Sequence, residues 1–151
     1  MLNKLGRTRL VEVLLVEDSP TDAILLEEAF KDTKIPNNLH IVTTGEDALA
    51  YLRHEGVHAK SLMPDLIMLD LNLPGISGQD VLKTIKSDEK LKSIPVVVLT
   101  TSKAEEDITK AYKHHANCYV TKPVGYDKLA DLVYSIETFW LGIVSLPRGE
   151  K

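Results

Sequence analysis

The sequence predicts one α/β domain in which a parallel β-sheet is covered by helices on both faces. Short apolar segments alternate with amphipathic segments from one end of the chain to the other. The apolar segments mostly lack the alternation of apolar and polar residues that a half-exposed strand shows, so each strand is expected to be buried on both faces. The chain has 151 residues, which is enough for one domain with a full-sized core. These observations together predict a doubly wound sheet.

The predicted strands are short runs rich in valine, isoleucine and leucine. They comprise residues 11–16, 39–42, 65–70, 95–100 and 118–121. The fourth run has the strongest β-propensity, because three valines and a leucine follow its proline. Crossovers between parallel strands are expected to be right-handed. Ligands of such sheets bind beyond the carboxyl ends of the strands, so a functional site is expected at that edge.

The predicted helices alternate with the strands. They comprise residues 20–31, residues 45–53, a segment that begins at Ser77 or Gly78, and residues 105–115 and 126–139. Pro20 suits the first turn of a helix, where a missing N–H costs no hydrogen bond. Apolar residues recur at helical spacing, for example Ala48, Leu49 and Leu52. The loop over residues 54–64 is long for a compact α/β domain.

The composition argues against several classes of function. The net charge of −4 argues against general binding of nucleic acid. No apolar run approaches the roughly 20 residues that a membrane-spanning helix needs, and the N-terminus lacks the pattern of a secretory signal. Cys118 is the single cysteine, so an internal disulfide is impossible and the reducing cytoplasm is the expected compartment.

The chain divides into three segments on these patterns. Residues 1–10 form an N-terminal extension, residues 11–140 the domain, and residues 141–151 an apolar C-terminal tail. Because the tail is short, no DNA-binding domain is expected after the last helix. Output is therefore expected to pass through contacts with another protein, whose identity the sequence leaves unknown.

Six polar residues lie at the carboxyl ends of four predicted strands. They are Glu17 and Asp18 after the first strand, Asp70 and Asn72 at the third, Thr100 at the fourth and Lys122 at the fifth. Each has an ordinary explanation, such as helix capping, a turn, a strand end or a solvated charge. Those explanations weaken when they must account for all six together, because crowded carboxylates repel one another and need a cation nearby.

Phosphoryl transfer is a reaction that needs this set of groups. Carboxylate and carbonyl oxygens suit Mg²⁺, and Mg²⁺ together with an ammonium neutralises phosphoryl oxygens in the transition state. A carboxylate is also a competent nucleophile and would form an aspartyl phosphate. A hydroxyl on the neighbouring strand can donate to a phosphoryl oxygen.

Four motifs in this order resemble the receiver domain of two-component response regulators. They are Val-Glu-Asp at 16–18, Leu-Asp-Leu-Asn-Leu-Pro-Gly-Ile-Ser-Gly at 69–78, Val-Leu-Thr-Thr at 98–101 and Tyr-Val-Thr-Lys-Pro at 119–123. The resemblance extends from residue 11 to about residue 138. It implies a flavodoxin-like fold with a five-stranded parallel sheet in the order 2-1-3-4-5 and five helices.

The resemblance also implies the chemistry of the site. Asp70 is similar to the phosphoacceptor aspartate of receivers. Mg²⁺ is expected at Asp18, at Asp70, at Glu17 through water, and at the backbone carbonyl of Asn72. On this comparison the protein is not an enzyme in the usual sense, but a phosphoacceptor that assists its own phosphorylation and dephosphorylation.

Three further residues take roles from the resemblance. Lys122 resembles the lysine that pairs with the phosphoryl group, Thr100 the switch hydroxyl, and Tyr119 the aromatic residue that swings inward when the hydroxyl moves. Receivers commonly hold the peptide bond after this lysine in cis, so the Lys122–Pro123 bond is predicted to be cis. Val124 departs from the family, where phenylalanine is commoner.

The C-terminal segment resembles a narrower group. The sequence Ser-Ile-Glu-Thr-Phe-Trp-Leu at 135–141 and Val-Ser-Leu-Pro at 144–147 is similar to single-domain response regulators that partner bacterial, especially cyanobacterial, phytochromes. A phytochrome histidine kinase is therefore the expected partner. The apolar tail predicts a homodimer with Phe139 and Trp140 buried between chains, although the tail could instead fold back onto its own domain.

Three other functions remain open from the residues. An aspartate-nucleophile phosphatase would need a second aspartate where Asn72 stands, as general acid and base. A flavodoxin-like cofactor protein would need a phosphate-cradling loop, whereas the loop at 17–20 is acidic and lacks glycine. A docking module that works without phosphorylation would not need the reactive residues to be present.

Overall fold

The computed structural model describes residues 10–143, with side chains described as far as residue 140. Its strands are β1 Val11–Val16, β2 Asn37–Val42, β3 Leu66–Leu69, β4 Val96–Thr100 and β5 Cys118–Thr121. Its helices are α1 Pro20–Lys31, α2 Gly45–Leu52, α3 Gly78–Ser87, α4 Glu105–Lys113 and α5 Tyr126–Glu137. None of the helices in this part of the chain is long and apolar enough to cross a membrane.

The five strands form one parallel sheet in the order β2-β1-β3-β4-β5. This topology confirms the predicted fold class and strand order. The register aligns the strand ends, because Val16 pairs with both Val42 and Leu69, and Thr100 pairs with Thr121. The loops that carry the predicted site residues therefore leave the sheet side by side.

Two apolar cores form, one on each face of the sheet. Leu14 and Val16 of β1 point into the core shared with α2, α3 and α4, whereas Val13 and Leu15 point into the core shared with α1 and α5. Alternate residues of one strand reach opposite faces, which explains why the apolar runs are continuous. Full burial of each large side chain contributes roughly 1.5–3 kcal/mol.

Side-chain caps begin three of the five helices. The hydroxyls of Ser19, Thr44 and Ser77 accept the backbone N–H three residues on, at the starts of α1, α2 and α3. The helix starts match the predicted ones. Three helix ends differ. His54 and His115 adopt positive φ angles of 57° and 69° just after α2 and α4 and so end these two helices early, and α5 also ends early.

The long loop between α2 and β3 is packed against the domain. It contains a short 3₁₀ helix, Gly56–His58. His58 Nε2 lies 2.7 Å from Asp47 Oδ1, and the Ser61 hydroxyl donates to the carbonyl of Tyr51 across 2.8 Å. Both contacts join the loop to residues of α2.

The last helix ends two residues earlier than predicted and continues as a π-helical segment, Thr138–Ile143. Phe139 is 50% exposed, and its ring lies edge-on to Trp140 with centroids 5.5 Å apart. Trp140 is partly buried against the core of α1 and α5. Within one chain Trp140 therefore already has an apolar partner. Residues 1–9 and 144–151, which include most of the predicted tail, lie outside the described part.

Candidate functional site

Three carboxylates lie together where β1 and β3 end. Oxygen atoms of Glu17, Asp18 and Asp70 all lie within 4.8 Å of one another. Glu17 and Asp70 are buried, whereas Asp18 is exposed. The parallel register places these side chains at one edge, since Asp70 donates its backbone N–H to Val16 directly before Glu17. The first group of predicted residues is thus brought together.

The ammonium of Lys122 lies among these carboxylates. Its Nζ donates to Glu17 Oε1, to Asp22 Oδ2 across 2.9 Å and to Asp70 Oδ2 across 3.0 Å. The Lys122 side chain is only 6% exposed. An ammonium has three N–H donors, so these three carboxylates use all of them.

The site carries more negative than positive charge. Four carboxylates share one ammonium, which leaves a formal charge of −3 when all are ionised. Burial raises the pKa of Glu17 to about 7, and the charge of Asp70 adds to this, while the hydrogen bond from Lys122 opposes it. Burial alone would lower the pKa of Lys122, but its bonds to Glu17, Asp22 and Asp70 outweigh burial and raise it. Both pKa shifts fit a surplus of negative charge.

The acid cluster fits a hard divalent cation. Its donors are all carboxylate oxygens, and the two buried members need positive charge beyond what Lys122 supplies. The backbone of Asn72, the other predicted ligand, lies beside the cluster, because its N–H donates to Asp70 Oδ1 across 3.0 Å. Of the four predicted ligands, the carboxylates of Glu17, Asp18 and Asp70 are brought close enough together to hold one divalent cation.

Thr100 and Tyr119, the two predicted switch residues, lie on β4 and β5. Thr100 is buried at the end of β4, and the Asn72 side-chain amide lies 3.5 Å from its hydroxyl oxygen. The Tyr119 hydroxyl donates to the carbonyl of Ser102 across 3.0 Å, while its backbone N–H donates to Tyr112 Oη across 3.1 Å. Tyr119 therefore contacts the loop that directly follows Thr100.

The prediction of a cis bond between Lys122 and Pro123 is wrong, because the described backbone contains no cis peptide bond. The ammonium nevertheless lies 3.0 Å from Asp70 Oδ2. The sheet itself brings it there, since the backbone N–H of Lys122 donates to the carbonyl of Thr100 across 2.7 Å and continues the β4–β5 ladder. The trans bond is therefore compatible with the predicted position of the lysine.

Two residues at the site escape the sequence reasoning. The sequence pattern assigns Asp22 only to a helix, yet its carboxylate accepts a hydrogen bond from Lys122. Its place in the first turn of α1, directly after the strand-end acids, is the signal that points to it. Gly78 belongs to a recognised motif, but its role is steric: a Cβ here would lie 2.3 Å from the carbonyl oxygen of Asp70. The start of α3 can approach the site closely only without a side chain.

Comparison with known proteins gives one consistent answer. The family described as "Response regulator receiver domain" matches residues 13–134. The response regulator Rcp1 of Synechocystis sp. is 47% identical over 135 residues, which cover 89% of this chain and 92% of that protein.

Solved structures agree with the sequence relatives. The crystal structure of the phosphorylated cyanobacterial phytochrome response regulator RcpA has a TM-score of 0.89 and 46% identity, covering 93% of this chain and all of that chain. The response regulator RPA3017, in red light signaling of R. palustris, has a TM-score of 0.86 and 32% identity, covering 92% and 99% of the two chains. With this fold and this match over most of its length, the protein belongs to the family of response regulator receiver domains.

Proposed function

We propose that the protein accepts a phosphoryl group from a histidine kinase onto Asp70, in a reaction that depends on Mg²⁺. The observation that carries this proposal is the buried Asp70 carboxylate, with Lys122 3.0 Å from one oxygen and the acid cluster around it. A related receiver, Rcp1, was solved in a Mn²⁺-bound form, which supports a divalent cation here.

The residues around Asp70 orient it for attack on phosphorus. The Asn72 N–H holds Oδ1 at 3.0 Å and the Lys122 ammonium holds Oδ2 at 3.0 Å. One carboxylate oxygen forms the new bond to phosphorus while the bond from phosphorus to the donor's nitrogen breaks and that nitrogen keeps the electron pair. Bound Mg²⁺ would supply charge neutralisation for the phosphoryl oxygens.

The product is read out through Thr100 and Tyr119. The Thr100 hydroxyl, buried beside Asn72, is placed to donate to a phosphoryl oxygen on Asp70 once that group is present. Movement of Thr100 carries the following loop, whose Ser102 carbonyl accepts from the Tyr119 hydroxyl. The chemistry at Asp70 would thereby change the surface formed by α4, β5 and α5, through which the protein signals to a downstream protein.

Incubation with acetyl phosphate and Mg²⁺ separates this function from the phosphatase and from the docking module. A stable acyl phosphate on the wild-type protein, absent from Asp70→Asn, is the expected result. Rapid release of phosphate without accumulation would instead indicate a phosphatase, although the neutral Asn72 beside Asp70 supplies no general acid. Failure of the wild-type protein to react would indicate a docking module that works without phosphorylation.

We infer a phytochrome histidine kinase as the phosphoryl donor, because Rcp1 and RcpA are among the relatives of this chain and RcpA is a phytochrome response regulator. Two exposed apolar side chains, Ile24 of α1 and Val124 at 93% exposure, lie close in sequence to the paired Asp22 and Lys122 and offer a contact surface. We propose that this transfer takes place in the cytoplasm, because a chain with a single cysteine forms no internal disulfide and suits a reducing compartment. Transfer from a purified phytochrome that exceeds transfer from an unrelated histidine kinase is the expected result; equal rates would refute the partner.

We also propose a homodimer built on α4, β5 and α5. Three large side chains on α4, α5 and the segment directly after α5 are half exposed: Tyr112, Tyr134 and Phe139. Such a patch is suited to a two-fold interface. Because Trp140 packs on its own chain, Phe139 is the stronger anchor. In sedimentation at tens of micromolar the wild type should form a dimer that Phe139→Ala weakens more than Trp140→Ala does, and a wild-type monomer with and without phosphorylation would refute the interface.

A further inference from the structure

Asp22 contacts Lys122 from α1, a helix that supplies none of the other residues of the site. It lies in the first turn of α1, where its backbone N–H donates to the capping Ser19 hydroxyl across 3.3 Å. Its carboxylate accepts from Lys122 Nζ across 2.9 Å, a distance as short as that to Asp70. The cap fixes the backbone of Asp22, so the contact is set by the start of the helix.

Asp22 lies outside the acid cluster. Glu17, Asp18 and Asp70 form the group whose oxygens could hold one cation, and Asp22 is not a member of it. A bound cation would draw on the oxygens of Glu17 and Asp70 that now accept from Lys122. Asp22 would then remain as the carboxylate partner of Lys122 outside the cation cluster.

Asp22 also differs from the other partners in exposure. Its side chain is 34% exposed, whereas the side chains of Glu17 and Asp70 are 1% and 7% exposed. Its bond to Lys122 is therefore the one most screened by water, and the easiest to break or to remove without leaving a buried charge unpaired.

We propose that Asp22 is a positioning residue that acts through Lys122, holding one of the three N–H groups of the ammonium and competing for it with a phosphoryl group on Asp70. The inference rests on the proposed function. Each N–H that Lys122 gives to Asp22 is one fewer for the phosphoryl oxygens, and the charge of Asp22 repels a phosphoryl dianion. Asp22 thereby sets how strongly the phosphorylated state is stabilised.

Binding of beryllium trifluoride with Mg²⁺, as a mimic of the phosphoryl group, tests the competition. Asp22→Asn should bind the mimic about three- to tenfold more tightly. Asp22→Glu, which keeps the charge, should bind within about twofold of the wild type. Asp127→Asn is the matched control, because Asp127 is an exposed acid in the first turn of α5, and it should leave the affinity unchanged.

The same substitution made in a Lys122 variant shows whether Asp22 acts through Lys122. In Lys122→Met, the change Asp22→Asn should no longer alter affinity for the mimic. The proposal would be overturned if Asp22→Asn raised the affinity for the mimic equally in the wild type and in Lys122→Met. It would also be overturned if Asp22→Asn alone left the affinity unchanged or lowered it. If Lys122→Met does not fold, the comparison of Asp22→Asn with Asp22→Glu and Asp127→Asn still decides, since equal affinities in all three refute it.

Proton exchange of the Lys122 ammonium in EDTA, followed by nitrogen-15 NMR, tests the restraint without any metal. Exchange should accelerate in Asp22→Asn and not in Asp127→Asn, because the first variant alone removes a charged partner. An unchanged exchange rate in Asp22→Asn would show that Asp22 does not restrain the Lys122 ammonium. Wild-type protein that bound no mimic would refute the proposed function and the competition with it, while the exchange rates would still decide whether Asp22 holds the lysine.

Discussion

The two ends of the sheet each bury a glutamate, and they surround it in different ways. At the carboxyl ends, Glu17 lies against Lys122 and shares its surroundings with Asp18 and Asp70. At the amino ends, Glu137 of α5 is 2% exposed and accepts from the side-chain amide of Asn37, the first residue of β2, across 3.0 Å. Burial raises the pKa of both glutamates to about 7.

The comparison shows that a perturbed pKa does not by itself identify a functional site. Glu137 has neutral hydrogen-bond partners, Asn37 and Thr33, and joins α5 to the start of β2. The carboxyl end instead combines several charged groups, a surplus of negative charge and a buried aspartate, Asp70, which we propose as the nucleophile. What distinguishes the functional end is that cluster of charges, to which a cation or phosphoryl group can bind. Four substitutions test this difference, from the largest expected effect to the smallest.

The change Asp70→Asn should abolish phosphorylation while the fold remains intact. Asparagine has the same shape but is a poor nucleophile, and the substitution removes one negative charge from a crowded site. Labelling with acetyl phosphate measures the loss, and thermal unfolding should show equal or higher stability. Undiminished labelling of the variant would exclude Asp70 as the acceptor.

The change Asp18→Ala should weaken Mg²⁺ binding by about tenfold or more. Among the proposed ligands other than Asp70, Asp18 should show the largest effect. Asp18 is the exposed member of the cluster, so its removal leaves no cavity in the core. Calorimetry measures the affinity. Glu137→Ala serves as the control at the other end of the sheet, and Mg²⁺ affinity retained in Asp18→Ala would show that the ligand assignment is wrong.

The change Gly78→Ala should destabilise the protein by about 1–3 kcal/mol or more, because the new Cβ would lie 2.3 Å from Asp70 O and 2.4 Å from Leu71 Cα. The contacted atoms are backbone atoms, which cannot move aside as a flexible side chain can. The clash should therefore shift the backbone of Asp70 and slow its phosphorylation. Gly56→Ala is a matched control, since its Cβ meets nothing within 4 Å and only its φ of +58° is strained. Urea unfolding compares the two, and equal losses would contradict the steric explanation.

The change Glu137→Gln should stabilise the protein at neutral pH by up to about 3 kcal/mol, following 1.36 kcal/mol for each pKa unit. The folded-state pKa of about 7 lies above the ordinary value of 4.5, so the folded state binds the proton more tightly. The contribution of Glu137 to stability is therefore largest below about pH 4.5 and is lost as the pH rises towards 7. Urea unfolding of both proteins at pH 5 and pH 7.5 should show a gap that widens at the higher pH, and a constant gap would contradict the assignment.

Much of the fold could be predicted because its signals are local. Continuous apolar runs mark strands buried on both faces, and Ser19, Thr44 and Ser77 mark helix starts through their caps. The residues at the strand ends follow from the same pattern, since parallel strands place their carboxyl ends at one edge. The ends of α2 and α4 were less predictable, because His54 and His115 take positive φ angles that histidine seldom adopts.

The sequence by itself determined the class of fold, the edge that carries the site and the residue types gathered there, because these depend on periodicity and on the topology of a parallel sheet. Only the tertiary structure decided which carboxylates bind Lys122, that the Lys122–Pro123 bond is trans, and that Trp140 packs on its own chain. Asp22 and Lys122 are 100 residues apart in sequence, and their contact depends on how α1 and β5 lie across the sheet. The two isomers of an X–Pro bond differ by only about 0.5–1 kcal/mol, so the packing around it selects one.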